Sequence, residues 1–155
     1  MKSIIYIYSY HHGNTRKVAD AMADVLACDI IQVDETTPRD VSEFDLIGLG
    51  AGIAFSKHYR QLLEFAERLP SVEGKRAFIF STAGLHSDKW MRRHHAKLKQ
   101  ILGDKGYNIV GQFACKGYDT FGALKVIGGI NRGRPNEDDL ARATDFATGL
   151  RGEGK

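Results

Sequence analysis

The stretch YSYHHGNT, Tyr8 to Thr15, follows directly on the apolar run Ser3–Tyr8 and leads into a helical pattern that begins near Arg16. A strand that leaves through a polar, glycine-containing turn and then starts a helix builds an anion site, because the N–H groups of the turn and of the first helical turn lack intrahelical partners and point outward together. The stretch has neither G-x-G-x-x-G nor the lysine of a P-loop, so it supports no dinucleotide fingerprint and no triphosphate cradle. A monophosphate fits better. Other reactive residue types carry less. Cys28 and Cys115 lie far apart, with no C-x-x-C and no His/Cys pair at zinc spacing, and read as buried free thiols. His94 and His95 are adjacent on a helical pattern and cannot face one metal, so they read as a solvated face plus one half-buried ring. Lys57, His58 and Arg60 read as exposed, and Tyr6 and Tyr8 as strand packing.

Strands alternating with helices must position that turn. Ser3–Tyr8 is apolar on both pleat faces, as a central parallel strand is once helices cover both sides. Val18, Ala21, Met22, Val25 and Leu26 repeat at helical spacing and predict a helix over Asn14 to Ala27. Strands are expected at Asp29–Val33, Asp45–Leu49, Arg76–Ser81 and Asn108–Cys115. Between and after them, Leu62 to Leu69, Met91 to Leu102 and the pattern starting at Asn136 predict three more helices. Such alternation means right-handed crossovers and a doubly wound parallel sheet with helices on both faces. Ligands of such sheets sit outside the carboxyl ends of the strands, so the loops of interest are Ser9–Thr15, Gly50–Lys57, Thr82–Trp90 and Lys116–Pro135.

Composition bounds the possibilities. The chain has 155 residues, 43% of them apolar and 26% charged, the balance of one globular domain over 1–155 that buries a full core. The opening MKSIIYIY is too short for a signal peptide or a membrane span, and a cytoplasmic protein is expected. The net charge of +3 and the pI near 8.9 are mildly basic, but the charges are scattered without interleaved aromatics, so no nucleic-acid partner is expected.

Taken together, S-x-x-x-G-N-T after the first strand, G-A-G-I-A-F-S-K-H after the third and F-S-T-A-G after the fourth resemble the three FMN-binding loops of the flavodoxin family, over essentially the whole chain. The resemblance implies a five-stranded parallel sheet of order 2-1-3-4-5 and an FMN cofactor. It assigns the phosphate to Gly13, Asn14 and Thr15. Just upstream the family pattern of hydroxyls is replaced by Tyr10, His11 and His12, whose imidazole N–H groups can donate to phosphate, and the hydroxyl moves to Ser9, as in the branch resembling menaquinone-dependent protoporphyrinogen dehydrogenase. The flavin ring is assigned to Ala51, Gly52, Ile53, Ala54 and Phe55, with Phe55 stacking and Tyr59, Trp90 and Tyr118 behind it. Thr82, Ala83 and Gly84 would face the polar edge of the ring through backbone N–H groups. The bare backbone of Gly50-Ala51-Gly52 would let the ring approach.

The implied function is electron transfer, with the flavin cycling between oxidised, semiquinone and hydroquinone states and exchanging electrons with a reductase or a ferredoxin-type protein. A monomer is expected. Two alternatives stand beside it: an FMN-dependent quinone or protoporphyrinogen reductase, and a cofactor-free binding module of the same fold. The long loop Lys116–Pro135, with Lys125, Arg132 and Arg134, is expected to be a positive docking surface.

Overall fold

The computed structural model describes every residue except Arg39, Leu85, His86, Phe121, Gly154 and Lys155; for His11, Glu35, Gly122 and Ala123 it describes the backbone alone. In chain order the elements are β1 (Ser3–Tyr8), α1 (Asn14–Leu26), β2 (Asp29–Gln32), β3 (Leu46–Ala54), β4 (Lys57–His58), α2 (Arg60–Arg68), β5 (Lys75–Ala83), α3 (Asp88–Asp104), β6 (Tyr107–Lys116) and α4 (Glu137–Gly152). Five strands form a parallel sheet of order β2-β1-β3-β5-β6, and the two-residue β4 pairs antiparallel with the end of β3. With β4 set aside, this is the expected doubly wound order.

Alternation along the strands sends side chains to two cores. Ile4, Tyr6, Ile47, Leu49 and Ile79 pack under α2 and α3, while Ile5, Ile7, Leu46, Phe78 and Phe80 pack under α1 and α4. No helix among the described residues is long and apolar enough to cross a membrane.

β3 runs past the expected end at Leu49 to Ala54, straight through its glycines. The reason lies on the neighbouring strand. In the parallel register Gly48 pairs with Phe78 and Gly50 with Phe80, and a Cβ on these glycines would lie 2.3 and 2.2 Å from the two ring tips. The bare positions in mid-strand therefore seat phenylalanine rings in the core. β4 is the other departure: two residues are too few for a periodic signal, and only the turn before them makes them a strand.

The ends of the helices follow their sequence signals. α4 starts with a reciprocal capping box, in which the Asn136 side chain accepts from Asp139 N–H and the Asp139 carboxylate accepts from Asn136 N–H. α3 is capped by Ser87, just before its first residue; the Ser87 hydroxyl accepts from Trp90 N–H. α1 stops at Ala27, which takes the left-handed conformation with φ 51°.

Candidate functional site

The sheet is wound outward in both directions from β1, so the winding reverses between β1 and β3. Outside the carboxyl ends of these strands and of β5 and β6 lies a cleft of about 160 Å³.

One wall is the turn after β1 and the first turn of α1, from which Ser9, Tyr10, Asn14 and Thr15 line the cleft. Gln32, at the end of β2, holds this turn in place: its side-chain amide accepts from Ser9 N–H at 3.3 Å and donates to Ser9 C=O at 3.1 Å, continuing the β1–β2 pairing by a side chain. The Ser9 hydroxyl accepts from Arg16 N–H at 3.2 Å and so caps one open donor of α1. Gly13 has φ +63°, and a Cβ there would meet nothing within 4 Å. Thr15 is 2% exposed and shares a 3.0 Å hydroxyl–hydroxyl bond with Thr82. The Asn14 side chain donates to Tyr118 C=O at 2.9 Å, and its Oδ1 is buried with no partner among the described residues. His12 takes φ 59° and is not among the residues lining the cleft, with its Nε2 3.0 Å from the Thr120 hydroxyl and its ring 4.1 Å from that of Tyr118. The backbone of His11 is in the same short helical turn; its side chain lies outside the described part of the chain.

The facing wall is the β3–β4 hairpin, which contributes Gly52, Ile53, Ala54 and Phe55, together with Tyr59 just beyond it. Ala54 pairs with Lys57, and the two residues between them, Phe55 and Ser56, have φ of 51° and 63°. This is a two-residue turn of the primed type, whose twist matches the strands. Glycine or asparagine is the usual occupant, and a left-handed L-residue costs about 1–2 kcal/mol. Phe55 sits at the tip, 86% exposed. Gly52 is bare for Tyr59, since a Cβ would lie 2.6 Å from that ring. The expected close approach of a ligand to Gly50 is therefore corrected: its open side is filled by Phe80. Ala51 is wholly buried in the core under α2 and α3 and is not among the residues lining the cleft.

His58 anchors this hairpin from below. Alternation in β4 turns Lys57 outward and His58 inward, and His58 is 1% exposed, which corrects its reading as a surface residue. Its Nε2–H donates to Phe80 C=O at 3.0 Å, which fixes the tautomer and leaves Nδ1 as a buried acceptor with no partner among the described residues. His95 lies 4.9 Å away, ring centre to ring centre, and is bound to the Ser81 hydroxyl at 2.7 Å and to Gln112 Oε1 at 3.2 Å. Burial, and then the neighbouring His95, push the His58 imidazole down to about 3. His94 and His95 are both buried, at 7% and 0% exposure, and neither makes the solvated face expected of one of them; His95 packs on His58 of β4 and Gln112 of β6, and the His94 ring packs against Trp90.

Thr82, Ala83 and Gly84 close the cleft from β5, and Gly117, Tyr118 and Asp119 from the segment after β6. Gly117 N–H donates to Ala83 C=O at 3.0 Å, and a Cβ on Gly117 or Gly84 would come within 2.6 Å of Asn14 Nδ2 or Asp119 Oδ2. Burial, and then the Asp119 carboxylate, push the Tyr59 hydroxyl up. Gly117 and Asp119 belong to the loop of interest Lys116–Pro135 but carry no sequence signal of their own, and Tyr59 and Tyr118, expected behind Phe55, line the cleft themselves. Trp90 is on the outside of α3 against Arg93 and His94.

Arg134 is not available for docking. It donates two hydrogen bonds to Asp139, which is 1% exposed and also accepts from Arg142. Although burial would raise the Asp139 carboxyl, these bonds and the Asn136 N–H hold it at about 2. Arg134 is thus a strut joining the long loop to α4, and among the described residues of that loop the exposed cations are Lys125 and Arg132.

The cleft is bipolar. Its α1 end offers hydroxyls and helix N-terminal amides around the open Gly13, and its hairpin end offers Ile53, Ala54, Phe55 and Tyr59. This donor set fits a flat aromatic ring with an anionic tail, the shape of FMN.

A model of the flavodoxin domain matches residues 5–125 of the chain. An uncharacterized protein of Methanocaldococcus jannaschii is 44% identical over 150 residues, covering 97% of this chain and 98% of that protein. Among solved structures, the oxidised flavodoxin 2 of Bacillus cereus has a TM-score of 0.73 at 14% identity over 99% of each chain. A flavodoxin from the domain Archaea has a TM-score of 0.66 at 14% identity, over 99% of this chain and 98% of that one. At such identities the structural likeness bears on the fold alone.

Proposed function

The chain belongs to the flavodoxin family, and on that premise we propose that it is a cytoplasmic, single-domain FMN-binding protein that carries electrons between redox partner proteins. The bipolar cleft at the reversal point of the sheet carries this reading. When bound, FMN supplies reversible one- and two-electron chemistry, and the chain supplies binding, orientation and field. The amides at the start of α1 with the Asn14 and Thr15 side chains hold the phosphate, and Thr82 orients the Thr15 hydroxyl toward it. Phe55 and Tyr59 cover the ring and keep water from it. Thr82, Ala83 and Gly84 present peptide groups to its polar edge. No side chain of the cleft is required as an acid or a base.

The test is a titration of the purified chain with FMN and with riboflavin, read by flavin fluorescence, followed by stepwise reduction of the yellow complex. FMN bound at least tenfold more tightly than riboflavin is the expected result. A chain that takes up neither flavin would leave the cofactor-free binding module as the reading. A second reading, an FMN-dependent quinone or protoporphyrinogen reductase, is favoured by the exposed rings of Phe55 and Tyr10 at the rim, 86% and 63% exposed, which offer a flat substrate a ledge. Steady turnover of NADH with a soluble quinone by the FMN-loaded protein would select it.

A further inference from the structure

The charges on α3 are arranged against the stability of their own helix. Lys89, Arg92, Arg93, Lys97 and Lys99 all lie on its exposed side, and no carboxylate occurs between Asp88 and Asp104. Each of the other helices carries carboxylates among its cations and holds an internal ion pair: Arg16 with Asp20 in α1, Arg60 with Glu64 in α2 and Arg142 with Asp139 in α4. Among the described residues the α3 cations enter no ion pair; only Arg93 finds a partner, over the Trp90 ring at 5.5 Å. Lys89 and Arg93, and Arg93 and Lys97, are like charges one turn apart, an arrangement that destabilises a helix. Lys89, Arg92 and Arg93 also crowd the positive end of the helix dipole, while the last turn, where cations stabilise, has none. A face serving solubility alone would mix its signs, as the other helices do.

We propose that the outward face of α3 is the docking surface for an acidic electron-transfer protein. The helix is roughly 25 Å long at about 1.5 Å per residue, the span of one side of an ordinary protein interface. It begins with Asp88, a few residues after Gly84 on the cleft wall, so a partner seated along it reaches the cleft mouth. Trp90, 36% exposed in its first turn, adds an aromatic anchor beside Arg93. Nucleic acid is the less favoured occupant, because Trp90 is the one aromatic side chain on the helix and its ring already carries a guanidinium. The purpose of the contact rests on the electron-carrier reading; the contact itself does not.

The experiment is a titration of the isotope-labelled full chain, with and without FMN, by an acidic plant-type ferredoxin and separately by basic cytochrome c, read by amide chemical shifts in low and high salt. The expected result is that ferredoxin shifts the amides of residues 88–100, that its Kd rises at least tenfold between about 20 and 300 mM salt as the charges are screened, and that cytochrome c does not bind. Arg92→Glu/Arg93→Glu/Lys97→Glu should weaken ferredoxin at least tenfold, and the neutral Arg92→Gln/Arg93→Gln/Lys97→Gln should do so by a smaller factor, which keeps the test valid should charge reversal disturb folding. Lys125→Glu/Arg132→Glu on the long loop should change Kd less than twofold. Absence of ferredoxin binding, shifts confined to residues 117–135, or stronger capture of duplex DNA or of phosphatidylserine vesicles by the same α3 cations would overturn the proposal. Ferredoxin binding by a chain that takes up no flavin would uphold the surface and sink the carrier reading alone.

Discussion

The two walls of the cleft are built by opposite means. On the α1 wall the polar groups are held by partners: Gln32 brackets Ser9, the Ser9 hydroxyl caps Arg16 N–H, and Thr15 and Thr82 share a bond. Its left-handed angles fall on Gly13, which bears no Cβ, and on His12, whose side chain is engaged by Thr120 and Tyr118. The hairpin wall places Phe55 and Ser56 in left-handed conformations and exposes the larger of them. It is tied down from beneath by a neutral imidazole. A site for a phosphate must be rigid and its donors preset, because misplaced dipoles lose the anion to water. A cover for a ring needs shape and can tolerate strain. The contrast predicts that each wall can be damaged separately.

The largest effect is expected on the hairpin anchor. His58 moves from the ordinary 6.5 to about 3 on folding, so the native state excludes a proton that the unfolded chain binds. The stability this supplies is fully present above pH 6.5 and is lost as pH falls through that value toward 3. Between pH 6.5 and 4.5 the loss should be about 2–3 kcal/mol at about 1.4 kcal/mol per pH unit. Asp139, held at about 2, begins to contribute only below the ordinary carboxylate range and does not obscure that window. Urea melts of wild type and of His58→Gln, which keeps a donor for Phe80 C=O but cannot titrate, should show a steep and a shallow pH dependence respectively. Equal slopes would remove His58 as the acid-sensitive anchor.

On the α1 wall, Thr15→Val should weaken FMN by roughly ten- to hundredfold, the value of a hydrogen bond to a charged group, and riboflavin much less. Thr82→Val should act in the same direction by less, since it removes the partner that orients the Thr15 hydroxyl. Equal weakening of both flavins would take the phosphate away from Thr15.

The same contrast explains what was legible in the sequence. The α1 wall is local: Ser9 to Thr15 lie in one short stretch, glycine and helix start included, and their pattern can be read without the fold. The helices and the five long strands are legible for the same reason, through periodicity. The hairpin wall is nonlocal. His58 looks like one of three polar neighbours, Lys57, His58 and Arg60, until β4 pairs with β3 and turns it under the sheet. Gly48 and Gly50 look like the end of a strand until Phe78 and Phe80 arrive from β5. Gln32 and Asp119 reach the site from other strand ends, where a single residue carries no pattern.

A smaller effect, split in sign, is expected at Phe55. Phe55→Gly removes the ring and also relieves its φ of 51°. Ring affinity, measured with riboflavin, should fall by about 0.5–1.5 kcal/mol, the worth of an aromatic pair. Stability of the flavin-free protein should rise by about 1 kcal/mol as the left-handed strain disappears. A loss in both would mean that Phe55 packs on its own loop and stabilises the fold.

The smallest effect concerns the field on the hairpin side. The net charge of +3 suggests a positive setting for a reduced flavin, and Lys57 lies exposed in the hairpin. The structure weakens that view in two ways. Arg60 is 3.5 Å from Glu64 in a solvated pair, so little of its charge is felt at a distance. The Asp119 carboxylate lines the cleft itself, nearer to any ring there than either cation. Asp119→Asn should therefore raise the potential of the second reduction step, which adds negative charge, by roughly 40 mV, the equivalent of about 1 kcal/mol for one electron. Lys57→Gln should lower the same potential by a fraction of that, and Arg60→Gln by less still. All three shifts should shrink in high salt, the Asp119 shift least, because its carboxylate is the least exposed to screening ions. A reductive titration in which Lys57→Gln outweighs Asp119→Asn would reverse the order and make the surface cations, not the cleft carboxylate, the charges that set the potential.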